Sequence, residues 1–98
     1  MLKKSYTKTG NYCRVTFKLP PEVNAEAATV CGDFNNWEQN AKPMIRTTAG
    51  GFYITLSLPS RKSYRFRYLL DGTRWENDTE ADDYVPNGFG SDDSIVSV

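Results

Sequence analysis

Hydrophobic and polar residues alternate with a period of two along much of this chain. From Tyr12 to Leu19, Cys13, Val15, Phe17 and Leu19 fall on one face, and Arg14, Thr16 and Lys18 on the other. Successive strand side chains point to opposite faces, so the pattern predicts a half-buried strand. Pro20-Pro21 ends it, because proline cannot donate to a ladder. Residues 27–32 predict a second strand with Ala28 and Val30 inward, and a short segment follows at 43–46. Ala49-Gly50-Gly51 is a hairpin signal. Beyond it, Phe52, Ile54, Leu56 and Leu58 alternate with Tyr53, Thr55 and Ser57. After Pro59-Ser60, Tyr64, Phe66, Tyr68 and Leu70 alternate with Arg65 and Arg67, and Asp71-Gly72 closes a tight turn before a strand at 73–76. Residues 77–92 are polar, with Pro86 and two glycines, and predict a long surface loop; 94–98 predict a last strand.

No segment carries a helical period. About seven short strands with turn punctuation predict an all-β fold, an antiparallel immunoglobulin-like sandwich. The Cys–Trp–Cys spacing of antibody domains is absent. Residues 1–10 are polar, end in Gly10 and predict a flexible N-terminal tail; residues 11–98 predict one β-sandwich domain.

Charge narrows the partners. The chain has 12 Lys+Arg against 12 Asp+Glu, a balance that argues against nucleic acid or an anionic membrane. No apolar stretch approaches the roughly 20 residues of a membrane span. The basic start, Met-Leu-Lys-Lys-Ser-Tyr, lacks the apolar region of a secretory signal. A cytoplasmic monomer is the expectation.

Composition also narrows the chemistry. There is no His, which removes the commonest general base and the commonest transition-metal ligand. Cys13 and Cys31 are not spaced as a metal or redox pair. Cys13 shares the core face, whereas Cys31 points the other way if Val30 is inward, so both are expected to stay reduced. The carboxylate-rich run from Glu76 to Asp83 reads as a calcium loop or as a solvated loop. It lacks the fixed Gly and terminal Glu of the calcium pattern, so the solvated loop is expected. Paired carboxylates can cleave glycosides, but only in a cleft that raises one pKa. A sandwich this small offers little room for one. No catalytic residue, metal or cofactor is expected.

Residues 32–37 read Gly-Asp-Phe-Asn-Asn-Trp. Two consecutive Asn after an apolar run force a tight polar turn, since Asn tolerates left-handed backbone and caps its own turn. Phe34 can point back into a core while the turn throws Trp37 outward. An indole on a stiff turn suits a sugar ring, whose C–H faces lie on the electron-rich ring while its hydroxyls need hydrogen bonds. The other reading is that Trp37 plugs the end of the core. Strand parity adds to this. If Tyr64, Phe66 and Tyr68 face the core, Arg65 and Arg67 lie outside, and Trp75 on the next antiparallel strand can share their surface. That surface is either a sugar site or a solvated face with Trp75 at the sheet edge.

This hexapeptide, the run Tyr-Arg-Phe-Arg-Tyr-Leu-Leu-Asp-Gly at 64–72, Trp75, and Tyr-Val-Pro-Asn-Gly-Phe-Gly at 84–90 occur in order. Together they resemble carbohydrate-binding module family 48, the isoamylase N-terminal or early set domain. Such modules precede the catalytic barrels of glycogen branching and debranching enzymes. Similar ones form the glycogen-binding domain of the AMP-activated protein kinase beta subunit. The resemblance spans about residues 11–98. It implies a β-sandwich, and sugar contacts by Trp37 in the turn and Trp75 after Asp-Gly, with one extra residue between. Arg67 stands where the family has a Lys, a planar fork in place of a point charge. Phe89 corresponds to a Leu that reaches through the sugar helix, and Ser91 and Asp93 to a Thr and an Asn. Asp93 loses the amide donor and adds a charge. The implied function is non-catalytic binding of α-1,4-glucan (glycogen, starch or maltooligosaccharides) by a stand-alone module. The alternative is a structural or docking domain for a glycoside hydrolase family 13 type enzyme, with little sugar affinity of its own.

Overall fold

The computed structural model describes residues 2–88 and 90–98. Among them, nine strands run in order: β1 (Leu2–Tyr6), β2 (Tyr12–Leu19), β3 (Ala28–Gly32), β4 (Ile45–Arg46), β5 (Phe52–Pro59), β6 (Ser63–Leu70), β7 (Arg74–Glu76), β8 (Asp83–Pro86) and β9 (Asp92–Ser97). They form two antiparallel sheets. One has the order β1-β2-β5-β4; the other has β3-β6-β9-β8, with β7 also pairing to β6. No helix among the described residues is long and apolar enough to cross a membrane.

The alternating residues face each other between the sheets. Val15 and Phe17 on β2, and Phe66 and Tyr68 on β6, are fully buried. Phe17 meets Phe66 edge-on, with ring centres 5.1 Å apart. Burying each such ring contributes about 1.5–3 kcal/mol. The Tyr68 hydroxyl would be an unsatisfied donor here, so it donates to the Asp78 carboxylate at 2.7 Å. Burial, then the nearby Asp78 charge, pushes the Tyr68 phenol far above its ordinary pKa.

The strand pattern holds where alternation is strong and needs correction at two polar stretches. The expected tail at 1–10 contains β1, which pairs with β2 from Leu2↔Phe17 to Tyr6↔Cys13. A tight turn makes this hairpin: Gly10 N–H donates to Thr7 at 2.9 Å, and Gly10 takes φ +75°. Only Leu2 of this strand packs on the core. Lys4 on the same face instead pairs with Asp82 at 2.6 Å, so the apolar signal is nearly absent. The expected loop at 77–92 contains β8, an edge strand paired on one side to β9. Its Pro86 sits at the strand end, where a missing N–H costs little. The same region is not wholly solvated, because Asp78 is buried and anchors it. Its carboxylate accepts from Tyr68 and from Glu80 N–H (2.7 Å), and its N–H donates to Ser94 Oγ at 3.0 Å. β1 and β8 account for nine strands where about seven were expected.

The second sheet turns one parity of β6 inward and the other outward. Arg65, Arg67 and Leu69 take the outer face, with Cys31 of β3 opposite Arg67 and Trp75 of β7 opposite Leu69. Cys13 lies in the core and Cys31 is buried on the outer side of its own sheet; both thiols are free.

Candidate functional site

The turn after β3 is built by its own side chains. Asn35 Oδ1 accepts from Gly32 N–H, and its amide donates to the Val30 carbonyl, each at 3.0 Å. The short 3-10 turn Asp33–Asn35 ends in left-handed backbone at Asn36 (φ 55°) and Trp37 (φ 57°). Asn accepts this conformation readily; for a bulky indole it costs on the order of 1–3 kcal/mol and marks a position held by its surroundings. Gly32 lets the turn lie against β6. A Cβ there would sit 2.4 Å from the Arg65 carbonyl oxygen and 2.9 Å from Phe66 Cβ. Phe34 turns back to Phe17 and Tyr64, with ring centres 5.6 and 6.0 Å away. Trp37 turns outward.

On the outer face, Trp37 meets Trp75, with ring centres 6.5 Å apart and planes at 56°. The Arg67 guanidinium carbon lies 5.9 Å from the centre of the Trp75 ring, within cation–π range. Arg67 Nε is buried and has no hydrogen-bond partner among the described residues. Beneath this surface, Leu69 and Cys31 are 3% and 0% exposed although neither belongs to the inter-sheet core. The Cys31 thiol donates to the Glu38 carbonyl at 3.4 Å. Its pKa is raised, first by burial and then by the Glu38 charge.

Trp37, Arg65, Arg67, Trp75, Asn87 and Asp93 line a groove of about 590 Å³. At its far end Asp93 is buried. It accepts from the Asn87 amide at 3.1 Å and pairs with Arg65 Nη1 at 3.5 Å. Arg65 Nη1 also donates to the Pro86 carbonyl at 3.4 Å. Asp33 lies behind Trp37: one carboxylate oxygen accepts from the indole N–H at 3.0 Å, the other from Arg65 N–H at 2.9 Å.

Of the residues singled out in the sequence, the fold brings Trp37, Arg67, Trp75 and Asp93 to one groove. Ser91 is not among the lining residues; it is exposed, and its carbonyl accepts from Asn87 N–H at 3.0 Å in the β8–β9 turn. Phe89 lies outside the described residues. Asp93 is already engaged by two donors, and strand alternation sends Asp92 the other way, so no exposed pair of like charges faces the groove. Sequence reasoning left three residues out. Arg65 carried a signal, since it shares the parity of Arg67. Asn87 stood in a recognised turn motif without a role. Asp33 had no signal, because its partners are 4 and 32 residues away and meet it only in the fold. Among the described residues, no three His, Cys, Asp or Glu side chains converge as metal ligands would.

A family model described as carbohydrate-binding module 48 (isoamylase N-terminal domain) matches residues 11–85. The match takes in both indoles and both arginines of the groove and stops before Asn87, Phe89, Ser91 and Asp93. No curated protein matches the chain.

Proposed function

The chain belongs to the carbohydrate-binding module 48 family, and from that premise we propose that the groove binds α-1,4-glucan without catalysing a reaction on it. The observation that carries this reading is the pair of indoles 6.5 Å apart at 56°, beside a guanidinium whose buried Nε lacks an acceptor among the described residues. Pyranose rings present apolar C–H faces that stack on indoles, and hydroxyls that need donors and acceptors. An α-1,4 chain turns from one residue to the next, so successive sugar faces meet planes set at an angle. A flat β-1,4 ribbon suits coplanar rings. Arg67 offers N–H groups to hydroxyl oxygens between the two platforms. Arg65 and Asn87 extend the polar end, and Asp93 acts through them by fixing their direction. Ser91 is left out of this contact set.

Each stacked indole contributes on the order of 1 kcal/mol beyond its buried area. The groove is shallow and the ligand flexible, so ordering the sugar offsets much of this and the affinity is weak. The test is a chemical-shift titration with maltoheptaose. The two indole N–H signals and the Arg67 side chain shift together if the groove is the site. A spectrum unchanged at millimolar sugar refutes the reading and leaves a docking role for the module.

A further inference from the structure

We infer that Asp33 is a positioning residue for the groove, holding the Trp37 indole at the tilt a curved glucan meets; this rests on the glucan-binding reading above. The last torsion of a Trp side chain is broad and intrinsically undecided. Trp37 is only half-buried, so packing alone does not fix its ring. What fixes it is the carboxylate of Asp33, which accepts the indole N–H at 3.0 Å. Asp33 is held in turn from β6, where its other oxygen accepts Arg65 N–H at 2.9 Å. β3 ends opposite Phe66, so that N–H lies just past the last strand pair on its side. One side chain thus ties the Trp37 turn to the strand that carries Arg67.

The same contact decides what Trp37 offers a ligand. With its N–H engaged, the indole presents a ring face and no donor. Polar recognition falls to Arg67, Arg65 and Asn87. The left-handed backbone at Asn36 and Trp37 agrees with this account, since strained backbone persists only where neighbours over-determine it. A charged acceptor is also the stronger choice for holding an indole N–H at a wet surface.

A double-mutant cycle with Asp33→Ala and Trp37→Phe tests the inference, because a phenyl ring keeps an aromatic face but has no N–H for Asp33 to hold. Without sugar, Asp33→Ala speeds hydrogen exchange at the Trp37 indole N–H and leaves that of Trp75 unchanged. With maltoheptaose, Asp33→Ala weakens binding about five- to tenfold, the scale of one charge-assisted hydrogen bond at a partly exposed site. In the Trp37→Phe background, Asp33→Ala costs much less, since only its bond from Arg65 N–H is left to lose. Asp33→Asn gives a smaller loss, because its single carbonyl oxygen serves Trp37 or Arg65 but not both; it also serves as the working variant should Asp33→Ala not fold. An equal loss in both backgrounds overturns the inference, since Asp33 would then act through Arg65 or the fold. Unchanged indole exchange overturns it whether or not sugar binds. If the unmutated chain binds no maltoheptaose, the glucan reading itself falls, and the ring-holding role is decided by exchange alone.

Discussion

The Arg67 guanidinium carbon stands 5.9 Å from the centre of the Trp75 ring, while its own Nε is buried without a hydrogen-bond partner among the described residues. The ring gives that charge partial compensation. The missing hydrogen bond remains a cost in the free protein, on the order of 1–3 kcal/mol for a buried polar atom.

Arg67→Met is therefore expected to separate binding from stability. The methionine keeps the apolar stem over Trp75 and removes the orphan donor. Thermal unfolding should show a melting temperature equal to or above that of the unmutated chain. Maltoheptaose affinity by calorimetry should fall about tenfold, the loss of a charged donor's hydrogen bond. A destabilised variant with intact affinity contradicts the role given to Arg67.

Gly32→Ala tests the seat of the Trp37 turn. Its Cβ would press 2.4 Å from the Arg65 carbonyl oxygen, a backbone atom that cannot swing away. Overpacking of this kind costs about 1–3 kcal/mol. Urea unfolding should show a lower midpoint, and sugar binding should weaken with it as the turn lifts from β6. An unchanged midpoint would mean that the turn does not lie on β6 as described.

Much of this architecture is legible in the sequence, because β2 and β5 bury one parity each and β6 turns Tyr64, Phe66, Tyr68 and Leu70 into the core. That parity also places Arg65 and Arg67 on the outer face. The motif at 32–37 predicts a tight turn that can send Phe34 inward and Trp37 outward, and it leaves open a Trp37 packed at the end of the core. What stayed hidden has physical causes. β1 and β8 are edge strands that put little into the core, since only Leu2 packs there, Lys4 pairs with Asp82, and Tyr6 and Tyr84 stay exposed, so period-two reasoning saw a tail and a loop. Asp93 read as a charge beside Asp92, but its burial against Asn87 and Arg65 depends on pairing between β8 and β9. Asp33 read as a turn residue, and its two acceptor contacts depend on where β3 ends.

The Tyr68–Asp78 contact predicts an alkaline weakness. Burial and the adjacent carboxylate raise the Tyr68 phenol above its ordinary 10.0. Above about pH 10 the unfolded chain releases this proton and the folded chain keeps it, so the unfolded state binds fewer protons and stability falls as pH rises. Tyr68→Phe should lower stability at pH 7 by about 1–3 kcal/mol, because Asp78 loses a buried donor. It should also flatten the decline above pH 10. Denaturant titrations of both proteins from pH 7 to 11 measure this, and parallel curves contradict it.

Cys13 faces the core between the sheets, Cys31 lies on the outer side of its own sheet, and both are buried. A thiol reagent should react slowly with the folded chain. After unfolding without reductant it should find two thiols, matching the two cysteines present. An intramolecular bridge by mass contradicts the facing assigned to Cys31.

The central claim is that two tilted indoles and Arg67 read a curved glucan. The most direct measurement is a two-dimensional NMR titration of the labelled chain with maltoheptaose and, separately, with cellohexaose. The account predicts that the indole N–H signals of Trp37 and Trp75 shift with one common dissociation constant for maltoheptaose, and shift far less with cellohexaose. Indoles that stay in place with maltoheptaose, or that respond equally to both sugars, contradict it.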